Sequence, residues 1–270
     1  MTKGNETYSA ANGFDMFYRD TGSGIPVLFI HGFPLTGDIW KYQIETLGTM
    51  ARVIVPDLRG FGRSGITPGP FSMDLFARDM KGLLDELGID KAVLAGISMG
   101  GYISFAFYRL FPARVRALVL LDTKAGADPE EGKKGRLDLA RRARSGEMEA
   151  IADEWAQRLF AASTRETKPD VVLEVRNAIA RSSPEAIAHA SLAMMERPDS
   201  TPTLSDITCP VLIMTGEHDR LTPVEEAQAI AATIKSSRLE VIRNAGHLSC
   251  LEAPEQVSRR MQEFLSGIQA

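Results

Sequence analysis

The sequence has few features that would crosslink it covalently or bind it to a membrane or a nucleic acid. Only two of its 270 residues are cysteines, Cys209 and Cys250, which is too few for a disulfide framework or a cysteine-based zinc cluster. No apolar run approaches the length of a membrane-spanning helix. Its basic residues are interspersed with acids and leave a net charge of −4, unlike the basic patch of a nucleic-acid-binding protein.

The beginning of the chain lacks the basic-then-apolar order of a signal peptide. We therefore expect a cytoplasmic protein that binds neither membrane nor nucleic acid and whose partner is a small molecule. No cluster of metal ligands and no phosphate-binding loop is evident, so we expect no metal and no cofactor. Nothing in the composition indicates an oligomeric state.

Short continuous apolar runs alternate along the chain with segments of helical periodicity. Strands that are apolar on both faces are typical of a parallel sheet covered by helices on two sides. The predicted strands are Pro26–Ile30, Arg52–Pro56, Lys91–Ala95, Arg116–Leu121, Val211–Met214 and Leu239–Ile242. The predicted helices are Met73–Leu87, Gly100–Phe111, Pro223–Ile234 and Pro254–Ile268. This alternation predicts an α/β fold with a doubly wound, mostly parallel sheet.

Two parts of the chain depart from that alternation. At the start, an Asn12-Gly13 pair separates the short extended stretches Thr7–Ala10 and Phe14–Arg19, which predicts a β-hairpin. From residue 124 to residue 198 no strand-like run occurs, and we expect an all-helical cap inserted into a core made of residues 1–123 and 199–270. The predicted cap helices are Glu130–Ser145, Glu147–Phe160, Pro169–Ala180 and Pro184–Glu196.

The strongest functional signal is Gly-Ile-Ser-Met-Gly-Gly at residues 96–101, directly after a predicted strand. A Gly-x-Ser-x-Gly pattern in that position is typical of a nucleophile elbow, a sharp strand-to-helix turn that exposes one serine. Side chains two residues before or after that serine would collide with neighbouring backbone. Gly96 and Gly100 avoid the collision, and Ser98 is the predicted nucleophile.

A nucleophilic serine needs a base and an acid that orients the base. His247 lies in the loop after one predicted strand and Asp219 in the loop after the preceding strand, so both reach the sheet edge where Ser98 lies. Asp122 also ends a strand and is the alternative acid. We favour Asp219, because its loop directly precedes the strand that leads to His247.

The remaining histidines have other predicted roles. His31 is expected to make structural hydrogen bonds, His218 to be a loop neighbour of Asp219, and His189 to lie in a cap helix. The thiol of Cys250, three residues after His247, is expected to be buried and inert.

Two backbone N–H groups are predicted to bind the negatively charged oxygen of a reaction intermediate. One belongs to Met99, the residue after the nucleophile, and the other to Phe33 in the loop His31-Gly32-Phe33-Pro34. Losing one such donor costs about 2.7–4 kcal/mol of activation energy, so we interpret this loop as functional.

Five motifs together resemble the α/β-hydrolase superfamily across residues 25–125 and 205–265. They are His31–Pro34, Asp57–Ser64, Gly96–Gly101, Gly216–Asp219 and Gly246–His247. Their order places serine, acid and histidine as that superfamily does. Within it the chain most resembles cap-bearing serine esterases and lactonases, notably the 3-oxoadipate enol-lactonase-like group, and the stretch Asp122–Asp128 adds to the likeness.

The resemblance implies a serine hydrolase that cleaves small carboxylic esters or lactones through an acyl-enzyme. Haloalkane dehalogenases and epoxide hydrolases are disfavoured because they carry aspartate at the elbow, and carbon–carbon bond hydrolases because their oxyanion loop differs. Cofactor-free perhydrolases (haloperoxidase-like enzymes) share the serine and the loop, and some non-catalytic small-molecule receptors share the fold. Both stay as alternatives.

The substrate pocket is predicted from apolar residues near the triad and in the cap: Trp155, Leu159, Met194, Leu221 and Leu248. A basic run lies beside it, made of Lys133, Lys134, Arg136, Arg141, Arg142 and Arg144. Such a run is usually a solvated helix face. If one member faces the pocket, it would bind a substrate carboxylate; if all face outward, a neutral ester or an acyl lactone fits better.

Overall fold

Eight strands form one sheet in the computed structural model, which describes residues 5–269. They are β1 (Asn5–Ser9), β2 (Met16–Thr21), β3 (Ile25–Ile30), β4 (Ala51–Pro56), β5 (Ala92–Ile97), β6 (Val115–Leu121), β7 (Val211–Gly216) and β8 (Ser237–Ile242). Their order across the sheet is β1-β2-β4-β3-β5-β6-β7-β8. The first two strands are antiparallel to their neighbours, and all other pairs are parallel. The predicted α/β fold with a mostly parallel sheet is confirmed.

Helices cover both faces of this sheet and follow most of its strands. They are α1 (Lys41–Leu47), α2 (Met73–Glu86), α3 (Met99–Leu110), α4 (Glu130–Arg144), α5 (Met148–Leu159), α6 (Ala162–Thr167), α7 (Pro169–Ala180), α8 (Pro184–Met195), α9 (Thr201–Leu204), α10 (Val224–Thr233), α11 (Ser249–Glu252) and α12 (Pro254–Gln269). Every residue of β5 and β7 is buried. This burial on both faces explains why their sequences are continuously apolar.

The N-terminal hairpin forms as predicted, with shifted bounds. β1 and β2 pair antiparallel from Asn5 with Asp20 to Ser9 with Met16. The reversal takes up residues 10–15, so Ala10 and Phe14 belong to the turn. Gly13 adopts a φ of 74° there, a conformation that glycine takes without strain.

Between β6 and β7 the chain forms helices α4 to α8, and the structure has no strand within residues 124–198. Four of these helices match the predicted ones within a few residues at each end. The fifth, α6, was not predicted: its sequence Ala-Ser-Thr-Arg-Glu-Thr is short and carries three hydroxyl residues of weak helix propensity. On this arrangement we propose the same division, a cap of residues 124–198 on a core of 1–123 and 199–270. Residues 1–4 and 270 of that core lie outside the described residues.

Among the described helices, none combines the length and apolar character needed to cross a lipid bilayer.

Candidate active site

Ser98 occupies the turn between β5 and α3 in a strained backbone conformation. Its φ is 55° and its ψ is −115°, a region that residues with a side chain seldom adopt. A Cβ on Gly96 would lie 2.3 Å from the carbonyl oxygen of Gly100, and a Cβ on Gly100 would lie 2.1 Å from that of Ile30. Both glycines are therefore required for this turn, which leaves the Ser98 side chain half-buried at the sheet edge.

The structure brings Ser98, His247 and Asp219 together in one hydrogen-bonded chain. The Nε2 atom of His247 lies 2.8 Å from Ser98 Oγ, and its Nδ1 atom lies 2.8 Å from Asp219 Oδ2. His247 and Asp219 are both buried. The three groups thus have the relative placement in which the imidazole accepts a proton from the hydroxyl while the carboxylate orients the ring.

Asp219 is held by a turn of its own loop. Its Oδ1 atom accepts hydrogen bonds from the backbone N–H groups of Leu221 and Thr222, and its Oδ2 atom accepts one from the Thr222 hydroxyl at 2.7 Å. Burial favours the neutral acid, but His247 and these hydrogen bonds outweigh it and lower the pKa of Asp219. The group is therefore ionised at neutral pH.

The pKa of His247 is shifted in the opposite direction. Burial disfavours its protonated form, but the negative charge of Asp219 and the hydrogen bond to it outweigh burial and raise the pKa of His247. Asp122 and Glu252 add smaller contributions of the same sign. The imidazole is thereby a stronger base than a free histidine, as a proton acceptor for a serine hydroxyl should be.

Asp122, the alternative acid, lies beside this group but has different partners. Its Oδ1 atom accepts a hydrogen bond from the N–H of Gly216, and its Oδ2 atom accepts bonds from the N–H and the hydroxyl of Ser249, the latter at 2.6 Å. Burial and the nearby Asp219 charge raise the pKa of Asp122 to about 8. Asp219 is thus the carboxyl on His247, whereas Asp122 joins the loops that carry the two residues.

The backbone N–H groups of Phe33 and Met99 have no acceptor among the described residues. Met99 begins α3 directly after Ser98. The loop before Phe33 lies against the serine, because a Cβ built on Gly32 would be 3.2 Å from Ser98 Cβ. Two unpaired donors next to the serine hydroxyl are what binding of a developing oxyanion requires.

A cavity of about 420 Å³ opens onto Ser98 and His247, a size suited to a small organic ligand. Three of the predicted pocket residues, Trp155, Met194 and Leu221, line it. The other two, Leu159 and Leu248, do not line it; their side chains are buried in the hydrophobic core.

The ring of Phe33 lies edge-on to Trp155 with 5.3 Å between the ring centroids. Because Trp155 belongs to α5, this contact joins the loop of residues 31–34 to the helices between β6 and β7.

Arg136, a member of the basic run, lines the cavity, and its guanidinium pairs with the buried carboxylate of Asp128. Arg136 Nε lies 3.1 Å from Asp128 Oδ2, and Lys124 Nζ lies 3.2 Å from Oδ1 of the same carboxylate. Buried Arg197 also contacts Oδ1, at 3.0 Å. The cluster of three cations around one carboxylate carries an excess of positive charge. Lys124 and Arg136 of this cluster line the cavity, which the acidic residues Glu131, Asp138 and Glu154 line as well.

Most other members of the basic run form ion pairs on the surface of the helices. Lys133 pairs with Glu130, Arg141 with Asp138, Arg142 with Glu147 and Glu154, and Arg144 with Glu185. Arg142 also lines the cavity, but the two carboxylates that neutralise it make it a poor binder of a further anion.

The other histidines have the predicted placements. His31 is fully buried and its Nε2 atom accepts a hydrogen bond from the N–H of Leu58. His218 is exposed in the loop beside Asp219, and His189 lies in α8 against the ring of Phe71. No group of three or more metal-ligating side chains occurs in the described part of the chain.

Burial raises the pKa of the Cys250 thiol well above its usual range, which makes the group unreactive.

Sequence reasoning missed three residues of the site. Thr222 follows Asp219 at the spacing of a side-chain turn, so its hydrogen bond was readable from the sequence. Tyr102 is one helical turn after Ser98 and lines the cavity. Glu252 forms four hydrogen bonds around the His247 loop, and no local pattern indicated them because two of its partners lie about 90 residues away.

A model of the α/β hydrolase fold family matches residues 25–254. Among solved structures, a thermophilic esterase from Thermogutta terrifontis, with malate bound, is 43% identical over the full length of both chains, with a TM-score of 0.94. The enol-lactonase of Burkholderia xenovorans LB400 is 28% identical, with a TM-score of 0.90, over 96% of this chain and 99% of that one. In sequence, 3-oxoadipate enol-lactonase 2 of Acinetobacter baylyi is 30% identical over 88% of each chain. The predicted resemblance to esterases and enol-lactonases is confirmed.

Proposed function

This chain belongs to the α/β-hydrolase family and is a carboxylic ester hydrolase, and we propose that it cleaves small esters or lactones through an acyl-enzyme on Ser98. The observation that carries the proposal is the hydrogen-bonded chain from Ser98 Oγ through His247 to Asp219, with 2.8 Å at each link. The names of the esterase and enol-lactonase relatives refer to hydrolysis of the same class of bond, a carboxylic ester or lactone.

In the first half-reaction, Ser98 Oγ attacks the carbonyl carbon and its proton passes to His247 Nε2. The carbonyl oxygen becomes an oxyanion, and the N–H groups of Phe33 and Met99 donate hydrogen bonds to it. His247 then gives the proton to the leaving alkoxide as the carbon–oxygen bond breaks. Asp219 stabilises the imidazolium that exists between the two transfers.

In the second half-reaction, water attacks the acyl-enzyme and its proton passes to His247 Nε2. The proton then returns to Ser98 Oγ, and the carboxylic acid leaves. A lactone follows the same path, except that the alcohol formed in the first half stays attached to the acyl group.

The test is turnover of a panel of p-nitrophenyl esters and lactones by the wild type and by Ser98→Ala. We expect Ser98→Ala to fold normally and to lose turnover, and a serine-directed phosphonate to label Ser98 in the wild type. Full activity of Ser98→Ala would overturn the proposal. Binding of esters without turnover would favour the receptor alternative, and turnover that depends on added peroxide would favour the perhydrolase alternative.

Within this reaction we propose that the preferred substrate carries a carboxylate at the end of its acyl or alcohol part. Lys124 and Arg136 line the cavity that opens onto Ser98 and share one carboxylate with Arg197. An added carboxylate would be bound by charge-assisted hydrogen bonds, which contribute about 1.5–3 kcal/mol each. The malate in the Thermogutta terrifontis esterase and the enol-lactonase relatives agree with an acidic ligand.

The matched substrates are the p-nitrophenyl monoester of adipic acid and p-nitrophenyl hexanoate, which differ by the terminal carboxylate. Lys124→Met should raise KM for the adipate ester by about tenfold or more and leave KM for the hexanoate unchanged. Arg144→Met is the control, because Arg144 pairs with Glu185 away from the cavity. Equal KM values for both esters in the wild type would contradict this preference and favour a neutral ester or acyl lactone.

A further inference from the structure

The carboxylate of Glu252 is buried between the loop that carries His247 and the segment that begins α6. Glu252 belongs to α11, five residues after His247, and is buried. Neither the nucleophile nor the orienting acid contacts it, so the proposed reaction assigns it no step. A carboxylate is costly to bury unless each of its oxygens is hydrogen-bonded, and its partners therefore show what it holds in place.

One oxygen of Glu252 holds the backbone on both sides of the histidine. Its Oε1 atom accepts hydrogen bonds from the N–H of Gly246 at 2.9 Å and from the N–H of Leu248 at 3.2 Å. One atom thereby holds the peptide group that follows His247 and the peptide group between Ala245 and Gly246. The side-chain direction of His247 follows from the backbone so fixed.

The other oxygen binds the segment between β6 and β7. Its Oε2 atom accepts hydrogen bonds from the N–H of Ala161 at 2.8 Å and from the Thr164 hydroxyl at 2.7 Å. A backbone hydrogen bond also joins the two segments: the N–H of His247 donates to the carbonyl oxygen of Leu159 at 3.0 Å. The position of residues 159–164 is therefore coupled to that of the histidine through these hydrogen bonds.

We infer that Glu252 is a positioning residue of the reaction, which sets the distance between His247 Nε2 and Ser98 Oγ by joining the histidine loop to residues 161–164. The inference rests on the proposed function, because it assumes that His247 transfers the serine proton. A displacement of about 1 Å in a catalytic group can lower the reaction rate about 100-fold. Loss of these hydrogen bonds should lower kcat more than it raises KM, since Glu252 does not line the cavity.

Glu252→Gln is the principal test, because it keeps the size of the side chain and replaces one acceptor oxygen with an NH₂ group. We expect kcat to fall roughly tenfold with KM within twofold of wild type. The carboxyl groups that act on His247 are Asp219, Asp122 and Glu252, and each favours the imidazolium when it is ionised. Removing one of them should move the acid limb of the kcat profile to lower pH.

The matched control is Asp79→Asn, which removes another buried carboxylate that lies away from the site and pairs with Arg59 at 2.6 Å. We expect it to lower the melting temperature while leaving kcat and the pH profile as in wild type. If Glu252→Gln behaves like this control, with kcat within twofold and an unmoved acid limb, Glu252 serves stability only and the inference is overturned.

Thr164→Val decides the question if Glu252→Gln does not fold. It removes one of the four hydrogen bonds and keeps the charge, so kcat should fall about threefold without a pH shift. Wild-type kcat in this variant would overturn the inference. Titration of the His247 ring by NMR separates this inference from the proposed function: it reports the effect of Glu252→Gln even if the wild type hydrolyses no ester.

Discussion

Exchange of Asp219 for asparagine tests which carboxyl orients the histidine. The Oδ1 atom of Asp219 accepts two backbone N–H bonds, from Leu221 and Thr222, so the amide oxygen of an asparagine must take that side. Its NH₂ group then faces His247 Nδ1. An NH₂ donor stabilises the tautomer in which Nδ1 accepts and Nε2 carries the proton, and that tautomer cannot take the proton of Ser98.

The expected loss in kcat is therefore large. In a comparable Ser-His-Asp group the same exchange lowers kcat about 10⁴-fold, equivalent to about 5 kcal/mol of activation energy. The fold should persist, since Asp219→Asn keeps both backbone hydrogen bonds. The assay is the steady-state kcat for p-nitrophenyl acetate at pH 7.5, with the melting temperature measured in parallel.

Asp122→Asn is the matched variant, because Asp122 is buried beside the same histidine loop but bonds to Gly216 and Ser249. Burial and the Asp219 charge raise the pKa of Asp122 to about 8, so at pH 7.5 much of it is already neutral and the amide replaces an acid. We expect kcat within about tenfold of wild type, the loss coming from the Ser249 N–H bond that the amide cannot accept. A larger loss in Asp122→Asn than in Asp219→Asn would refute the assignment of Asp219.

Three further results are expected. The contribution of Asp122 to folding stability should fall as pH rises: its folded pKa is raised to about 8, so this contribution is complete below about pH 4 and lost by about pH 8. The melting temperature of the wild type relative to that of Asp122→Asn should therefore fall over this range, and a constant difference between the two would contradict this. Gly32→Ala should lower kcat about tenfold, because its Cβ would lie 3.2 Å from Ser98 Cβ and push the oxyanion loop away; unchanged kcat would show that the loop yields. Iodoacetamide at pH 8 should leave activity intact, since burial raises the pKa of Cys209 to about 11 and raises the pKa of Cys250 well above its usual range, whereas rapid inactivation would indicate an accessible thiol.

Local patterns in the sequence were sufficient to predict the sheet and the approach of three distant side chains. The parallel strands are recognisable because burial on both faces requires unbroken apolar runs. Parallel strands also bring their carboxyl ends to one edge, so Ser98, Asp219 and His247 could be placed together without any knowledge of contacts. The same reasoning favoured Asp219 over Asp122 only from the order of the loops along the chain, because both residues follow strands of that edge. In the structure their hydrogen bonds separate them: Asp219 bonds to His247 and Asp122 to Ser249.

Contacts between distant segments could not be predicted in this way. Glu252 binds Ala161 and Thr164, which are about 90 residues away, and nothing in the composition of α11 indicates this pairing. Leu248 was expected in the pocket because it lies near the triad, yet in the turn that leads into α11 its side chain enters the core.

The orientation of the basic residues of α4 could be predicted only in part from the sequence. The residues of α4 that line the cavity include Gly132, Arg136, Leu139 and Arg142, which recur at the spacing of three or four that defines one face of a helix. Periodicity alone therefore assigns Arg136 and Leu139 to the same face. What it cannot supply is the identity of the surface that this face covers. That depends on α8, against which α4 packs, and on Asp128, whose carboxylate holds Arg136 beside Lys124. The specificity that we propose for an acidic substrate is thus a property of tertiary packing, imposed on a helix whose own sequence reads as a solvated surface.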